Sequence, residues 1–467
     1  MDNFIPPQSL ASPVLDNNQP PAAGNFPIPP KKKSPLLLII AVVLVLALTA
    51  GLGYYFYINK RQENTEVTLS YWGLFEPTSV YQQVIADYEK ENPRVKIIYE
   101  MQGLSYYRER LQAALAKNEG PDIFRIHQSW VPMMGNYLSP MPAVIYDAAT
   151  FEKTFYPSAK ESLKFQNQYV GIPLMYDGLS LYYNEDLFKA VGRTPPKTWS
   201  ELKSAACDLT TKDSQGKIKT AGVALGVTGN VDHWSDVLGL MILQNGGDLI
   251  NPTSNLSSDA LTFYTLFSSS QACEGETSNP GAVWSSTLPT STYFFATGNL
   301  AMYFAPSWRS FEIKTLNPNL NFKIVPVPQL PETNITWSSY WVESVAKSST
   351  KSKEAWDFLK YLSSPDVLKK LYATESNLRL FGEPYPRVDM ADLLKSQPMV
   401  GPFIEQAPFA KNWYLSSNTS DNGINKQIIK YFEDAVNAVN IGGDAVSALN
   451  TVQQGIVQVL GQYGILK

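Results

Sequence analysis

Histidine is scarce in this chain of 467 residues: His127 and His233 are the only two, beside two cysteines, Cys207 and Cys273. With so few, no Ser-His-Asp or Cys-His arrangement can be argued from motif, and no pattern has the spacing of a metal site. Two cysteines also exclude a zinc ribbon and a framework of several disulfides. They either pair, in an oxidising compartment, or stay as two buried thiols, and the sequence gives no distance between them. A basic excess is missing too. Lysine and arginine number 38 against 42 acids, a net charge of −4, and the two signs are interspersed, so nucleic acid is excluded as a partner. No repeat recurs at periods of roughly 20 to 50 residues, which removes solenoids and propellers. No cofactor and no metal are expected.

What the chain does have is one long uncharged run. Residues 35 to 57 carry no charged side chain and follow Lys31-Lys32-Lys33. A helix rising about 1.5 Å per residue needs roughly 20 apolar residues to cross a bilayer core, with the lysines on the cytoplasmic side. The run reads as a transmembrane helix that holds a folded domain on the extracytoplasmic face of the cell membrane. A cleaved signal peptide is the rival reading, but its charged region would be unusually long and no clear small-x-small cleavage site follows. With no cysteine near the run, a lipid on cysteine is ruled out as the tether. Residues 1–34 are expected as a disordered cytoplasmic tail, rich in Pro, Asn, Ser and Gln, and residues 58–65 as a polar tether.

Beyond the tether, Val67, Leu69 and Tyr71 alternate with Thr68 and Ser70, a strand pattern ending at Trp72-Gly73. After Pro77-Thr78, the side chains of Val80, Val84, Ile85 and Tyr88 share one helical face until Asn92-Pro93 stops it. A second strand at 95–99, a second helix carrying Tyr107, Leu111, Ala114 and Leu115, and a third strand at 122–126 complete a βαβαβ unit. Such a unit makes a parallel sheet with helices on its faces, and ligands gather at the carboxyl ends of its strands. Trp72 and the segment His127-Gln128-Ser129-Trp130 lie at those ends. Residues 168–174 read as one short strand leading into a crossing, and 322–327 as another, followed by Pro328-Gln329-Leu330-Pro331. Helical patterns recur at 186–191, 200–209, 233–244, 258–268, 351–362, 365–373 and 424–440.

Several motifs then stand in a telling order. Glu119-Gly120-Pro121-Asp122-Ile123 is followed by Gly171-Ile172-Pro173, Tyr182-Tyr183-Asn184 and Pro195-Pro196-Lys197-Thr198-Trp199-Ser200-Glu201-Leu202. Gln244-Asn245-Gly246-Gly247, Phe295-Ala296-Thr297-Gly298-Asn299-Leu300-Ala301-Met302 and the segment 348–359 complete the series. In this order the chain resembles the extracellular solute-binding proteins of ABC importers, in the sugar-binding cluster that includes maltose-binding protein. The resemblance spans residues 66 to about 460 and implies an α/β, two-lobe periplasmic-binding-protein-like fold with a ligand cleft between the lobes. Carried onto this chain, lobe one is 66–173 and 324–380, and lobe two is 174–323 and 381–467. Family members in bacteria with one membrane are usually lipoproteins, so the transmembrane helix and the proline-rich tail are departures.

A sugar presents apolar C–H faces and a rim of hydroxyls, so its site combines aromatic platforms with planar polar side chains. The chain is rich in the former, with 10 Trp, 26 Tyr and 21 Phe. Trp308 follows Ala301-Met302 at the interval where the resembled family places a stacking tryptophan. Trp341 sits in Trp337-Ser338-Ser339-Tyr340-Trp341, where three rings in a polar loop are hard to bury together, so Trp337 and Tyr340 are candidates as well. Trp72 and Trp130 are strand-end candidates, Gln128 and Ser129 hydroxyl partners, and Trp234 and Trp284 lobe-two platforms, with packing as the competing role. Asp177 follows Gly-Ile-Pro at the first crossing, where it either accepts sugar hydroxyls or serves the hinge. Trp199 and Trp356 are read as packing, and Trp413 and Tyr414 as cover at the cleft rim.

The implied function is a non-catalytic receptor that captures a sugar or oligosaccharide and hands it to ABC permease subunits. A surface-held scavenger or adhesin without a permease is one alternative. A glycoside hydrolase is another, since that chemistry needs only two carboxylates, such as Asp177 and Glu343, and no histidine.

Overall fold

The computed structural model describes residues 35–63, 66–275 and 281–466. The chain divides into two units, Met1–Thr65 and Glu66–Lys467. In the first, the backbone is helical over Pro35–Glu63, so residues 58–63 continue a helix where a tether was expected. Among the described residues no helix is long and apolar enough to cross a membrane, and the side chains of residues 35–38, 41 and 56–63 lie outside them. The expected cytoplasmic tail, 1–34, also lies outside the described residues.

The second unit is built on two five-stranded sheets. Val67–Gly73 buries Leu69 and Tyr71 on one face, as its alternation requires, and pairs in parallel with Val95–Met101 on one side and Ile123–His127 on the other. Helix Thr78–Glu91 starts behind Pro77 and presses Val80, Tyr81, Val84 and Tyr88 into the core. The βαβαβ unit is therefore present, and its sheet is completed by Trp341–Val345, antiparallel between Ile123–His127 and Ile172–Pro173. The second sheet runs in the order Phe322–Val325, Ser180–Asn184, Leu300–Ala305, Ile218–Val223 and Thr211–Lys212. Helix Trp199–Leu209 packs beside it behind a capping box, in which Thr198 accepts from the Glu201 amide and the Glu201 carboxylate accepts from the Thr198 amide.

Three expectations are corrected. Residues 168–174 form two short strands rather than one. Gln168–Tyr169 closes a hairpin with Lys164–Phe165, whereas Ile172–Pro173 joins the first sheet, so the chain changes partners at Gly171. Cys207 and Cys273 are bonded to each other, Cα–Cα 5.6 Å, so the reading as two free thiols fails. The helix end at Cys207 and the turn at Cys273 are both sealed in the core and meet there. Finally, Ala445–Gln462, which carried no expected element, is an 18-residue helix capped by Asp444 and packed on Ile424–Asn440.

Two segments cross between the sheets side by side. The Leu179 amide donates to the Trp337 carbonyl (2.9 Å) and the Ser339 amide to the Asp177 carbonyl (3.0 Å). A third stretch joins them, where Ala410–Lys411 pairs in parallel with Thr336–Trp337.

Candidate functional site

A cavity of about 420 Å³ opens where these segments cross. Its walls come from both sheets: Phe75, His127 and Trp341 stand at strand ends of the first sheet, and Pro306, Trp308 and Phe311 follow the second-sheet strand Leu300–Ala305. The crossing segments contribute Met175, Asp177, Gly178, Trp337 and Tyr340.

Trp308 is 39% exposed, the most open tryptophan on the cavity wall. The Arg309 guanidinium lies over its ring, 4.3 Å from the centroid, and His233 meets it edge-on at 5.9 Å. Arg309 Nε–H donates to His233 Nε2 (3.0 Å), which assigns the ring proton to Nδ1, facing Ser417 Oγ at 2.8 Å. Burial, with help from the Arg309 charge, holds His233 down to about 3, so the ring is neutral. Trp341 is boxed edge-on by Phe75 (5.3 Å), His127 (5.2 Å) and Trp130 (5.1 Å). His127 is likewise held down to about 3 by burial.

The polar wall is acidic. Asp177 accepts from the amides of Gly178 (2.8 Å) and Ser307 (3.0 Å) and from Ser307 Oγ (2.9 Å), and burial pushes it up to about 7. Asp236 accepts from the Trp337 indole N–H (2.9 Å) and the Ser417 amide (3.0 Å), and burial raises it to about 6. Arg379 lines the cavity with Glu383 and pairs with both Glu383 (2.6 Å) and Glu375 (3.3 Å). Among the described residues no group of three or more His, Cys, Asp or Glu is arranged to hold a metal ion.

The structure thus brings Trp308, Trp341, Asp177, Trp337 and Tyr340 to one cavity. Trp337 and Tyr340 reach it while almost wholly buried, so two of the three rings in that loop are buried after all, the Trp337 indole lying over Gly239 and donating to Asp236. It does not bring the other candidates there. Trp130 is sealed in the core with its indole N–H on Asp421 (2.9 Å), and Gln128 and Ser129 are buried beside it. Trp284 is sealed with its indole on Asn230 (2.9 Å), and Trp72 and Trp234 pack half-buried against the core. Trp413 and Tyr414 also stay off the cavity wall, while Trp199 and Trp356 are core residues as expected. Glu343 is fully buried against Arg125 (2.7 Å), away from Asp177's cavity, so the imagined pair of hydrolytic carboxylates does not form. The sequence reading missed Phe75, His233, Asp236 and the Arg379–Glu383 pair; only Phe75 carried a signal, its place just past the first strand.

A profile of bacterial extracellular solute-binding proteins matches residues 83–378. A binding protein of Brucella abortus strain 2308 is 23% identical over 357 residues, 74% of this chain and 83% of that protein. The sugar-binding protein of the phytopathogen Xanthomonas citri superposes with a TM-score of 0.67 at 19% identity, over 85% of this chain and 98% of that one. The cyclic alpha-maltosyl-1,6-maltose binding protein from Arthrobacter globiformis gives 0.67 at 18%, over 85% and 100%. At this identity the likeness establishes a common two-lobe α/β fold.

Proposed function

Since the chain belongs to the bacterial extracellular solute-binding protein family, and is a binding protein rather than an enzyme, we propose that it captures a sugar or short oligosaccharide outside the cell for an ABC importer. The observation that carries this is the cavity itself, which takes Trp308 from one sheet and Trp341 from the other and interleaves them with Asp177, Asp236 and Glu383. Flat apolar rings suit the C–H faces of a sugar, and carboxylates accept from its hydroxyls. The lobes follow the two sheets, so that Phe322–Val325 goes with lobe two and the return crossing lies beyond it. Closure about the crossing segments buries the ligand. The uncharged run 35–57 behind Lys31-Lys32-Lys33 anchors the domain in the membrane and keeps it beside permease subunits.

The test is a neutral oligosaccharide array on the full chain in nanodiscs, followed by calorimetry. At least one member binds, raises Tm and changes tryptophan fluorescence. Trp308→Ala then weakens that affinity by about tenfold or more, equivalent to about 1.4 kcal/mol, with an unchanged apo Tm. An array in which nothing shifts Tm or fluorescence rejects the proposal.

A further inference from the structure

Phe75 breaks two rules at once. It is a large apolar residue left 45% exposed, and its backbone is left-handed, φ 72°, a conformation that bulky side chains rarely adopt. The Glu76 amide donates to the Leu74 carbonyl (2.9 Å), so Phe75 is the centre of a three-residue turn of the strained, positive-φ kind. Such strain persists only where the surroundings over-determine it.

The surroundings here do so from both sides. Leu74 and Glu76 are buried, and the Arg125 guanidinium spans them, donating to the Leu74 carbonyl (2.8 Å) and to the Glu76 carboxylate. Tyr99 Oη–H donates to the Glu76 carbonyl (2.8 Å). Arg125 is itself fixed by Glu343 (2.8 Å) and Tyr81 (3.0 Å). A buried network therefore clamps the residues on either side and leaves one ring projecting into the cavity, edge-on to Trp341 at 71°. Glycine would make this turn without strain, so what phenylalanine adds is the ring.

We propose that Phe75 is an aromatic platform of the ligand site, making with Trp341 a corner on the first-sheet side across from Trp308. It receives a saccharide ring through an apolar C–H face. This rests on the sugar-capture reading. The strained turn holds the platform in place before ligand arrives, so no ordering of that loop opposes binding.

The experiment compares the full chain with Phe75→Gly and Phe75→Leu by thermal melting, and by calorimetry against maltotriose, mannotriose and cellotriose. Phe75→Gly relieves the backbone and removes the ring, so its apo Tm equals or exceeds that of the unaltered chain, while affinity for the bound saccharide falls tenfold or more. Phe75→Leu keeps the strain and apolar bulk but lacks a flat face; its Tm stays and its affinity also falls. Unchanged affinity in Phe75→Gly overturns the platform and leaves sugar capture standing. A Tm several degrees lower in Phe75→Gly also overturns it, since the ring then serves packing. If the unaltered chain binds none of the three, the sugar-capture reading fails for this panel and the platform falls with it.

Discussion

Asp177 carries the clearest pH dependence in the cavity. Aspartate in an unfolded chain titrates near 3.9, whereas burial raises this carboxyl to about 7 although three hydrogen bonds pull it down. The native state therefore holds the proton more tightly between about pH 4 and 7, so the stability gained is complete below that window and is lost as pH rises through it. His127 and His233 act in the opposite sense: they are buried neutral, and acid below about pH 6.5 favours the unfolded chain. Comparing the wild type with Asp177→Asn cancels the histidines. The variant mimics the protonated carboxyl in both states and is expected to melt above the wild type at pH 8, with the gap narrowing as pH falls to 5; a gap independent of pH counts against the assignment. At this scale the sequence revealed residue types better than residue positions. Trp308 is singled out by the spacing in the resembled family and Trp341 by its aromatic loop, and both line the cavity; Trp130 is singled out by its strand end, and what takes it away is a partner for its indole N–H at Asp421, 291 positions away. No local pattern carries that information.

Among the elements, the crossing segments are the most tightly specified. A Cβ on Gly178 would stand 2.1 Å from the Trp337 carbonyl oxygen, a backbone atom that cannot swing aside. Gly178→Ala is expected to push the two crossings apart and destabilise the chain by about 1–3 kcal/mol, read as a lower Tm together with weaker saccharide binding. The alternation of strand and helix over the first lobe was legible because its periodicities are short and its stops explicit, Asn92-Pro93 and Gly120-Pro121 among them. Helix Ala445–Gln462 was not, for its sequence carries four valines and an isoleucine and is broken by Gly455. Tertiary packing overrides that propensity. A Cβ at Gly455 would meet the Tyr431 ring at 2.5 Å, so the glycine that weakens the local signal is what lets two helices approach.

For the molecule as a whole, charge decides which saccharides the proposed site would admit. The cavity wall carries Asp177, Asp236 and Glu383, its histidines are neutral, and Arg379, the cation lining it among the described residues, is already shared by Glu375 and Glu383. An oligosaccharide bearing a uronate is expected to bind at least about tenfold more weakly than its neutral parent, by calorimetry at pH 8; equal affinities would contradict this. The two halves are also fastened by different means. Around the second sheet, one covalent link, Cys207 to Cys273 across 66 positions, restricts the unfolded chain by about 4 kcal/mol on a chain-entropy estimate. Around the first sheet, the comparable fastening is Arg125 seated between Glu76 and Glu343. A strong reductant would thus act on the second half alone, whereas the first half depends on keeping water away from one buried guanidinium and its two carboxylates.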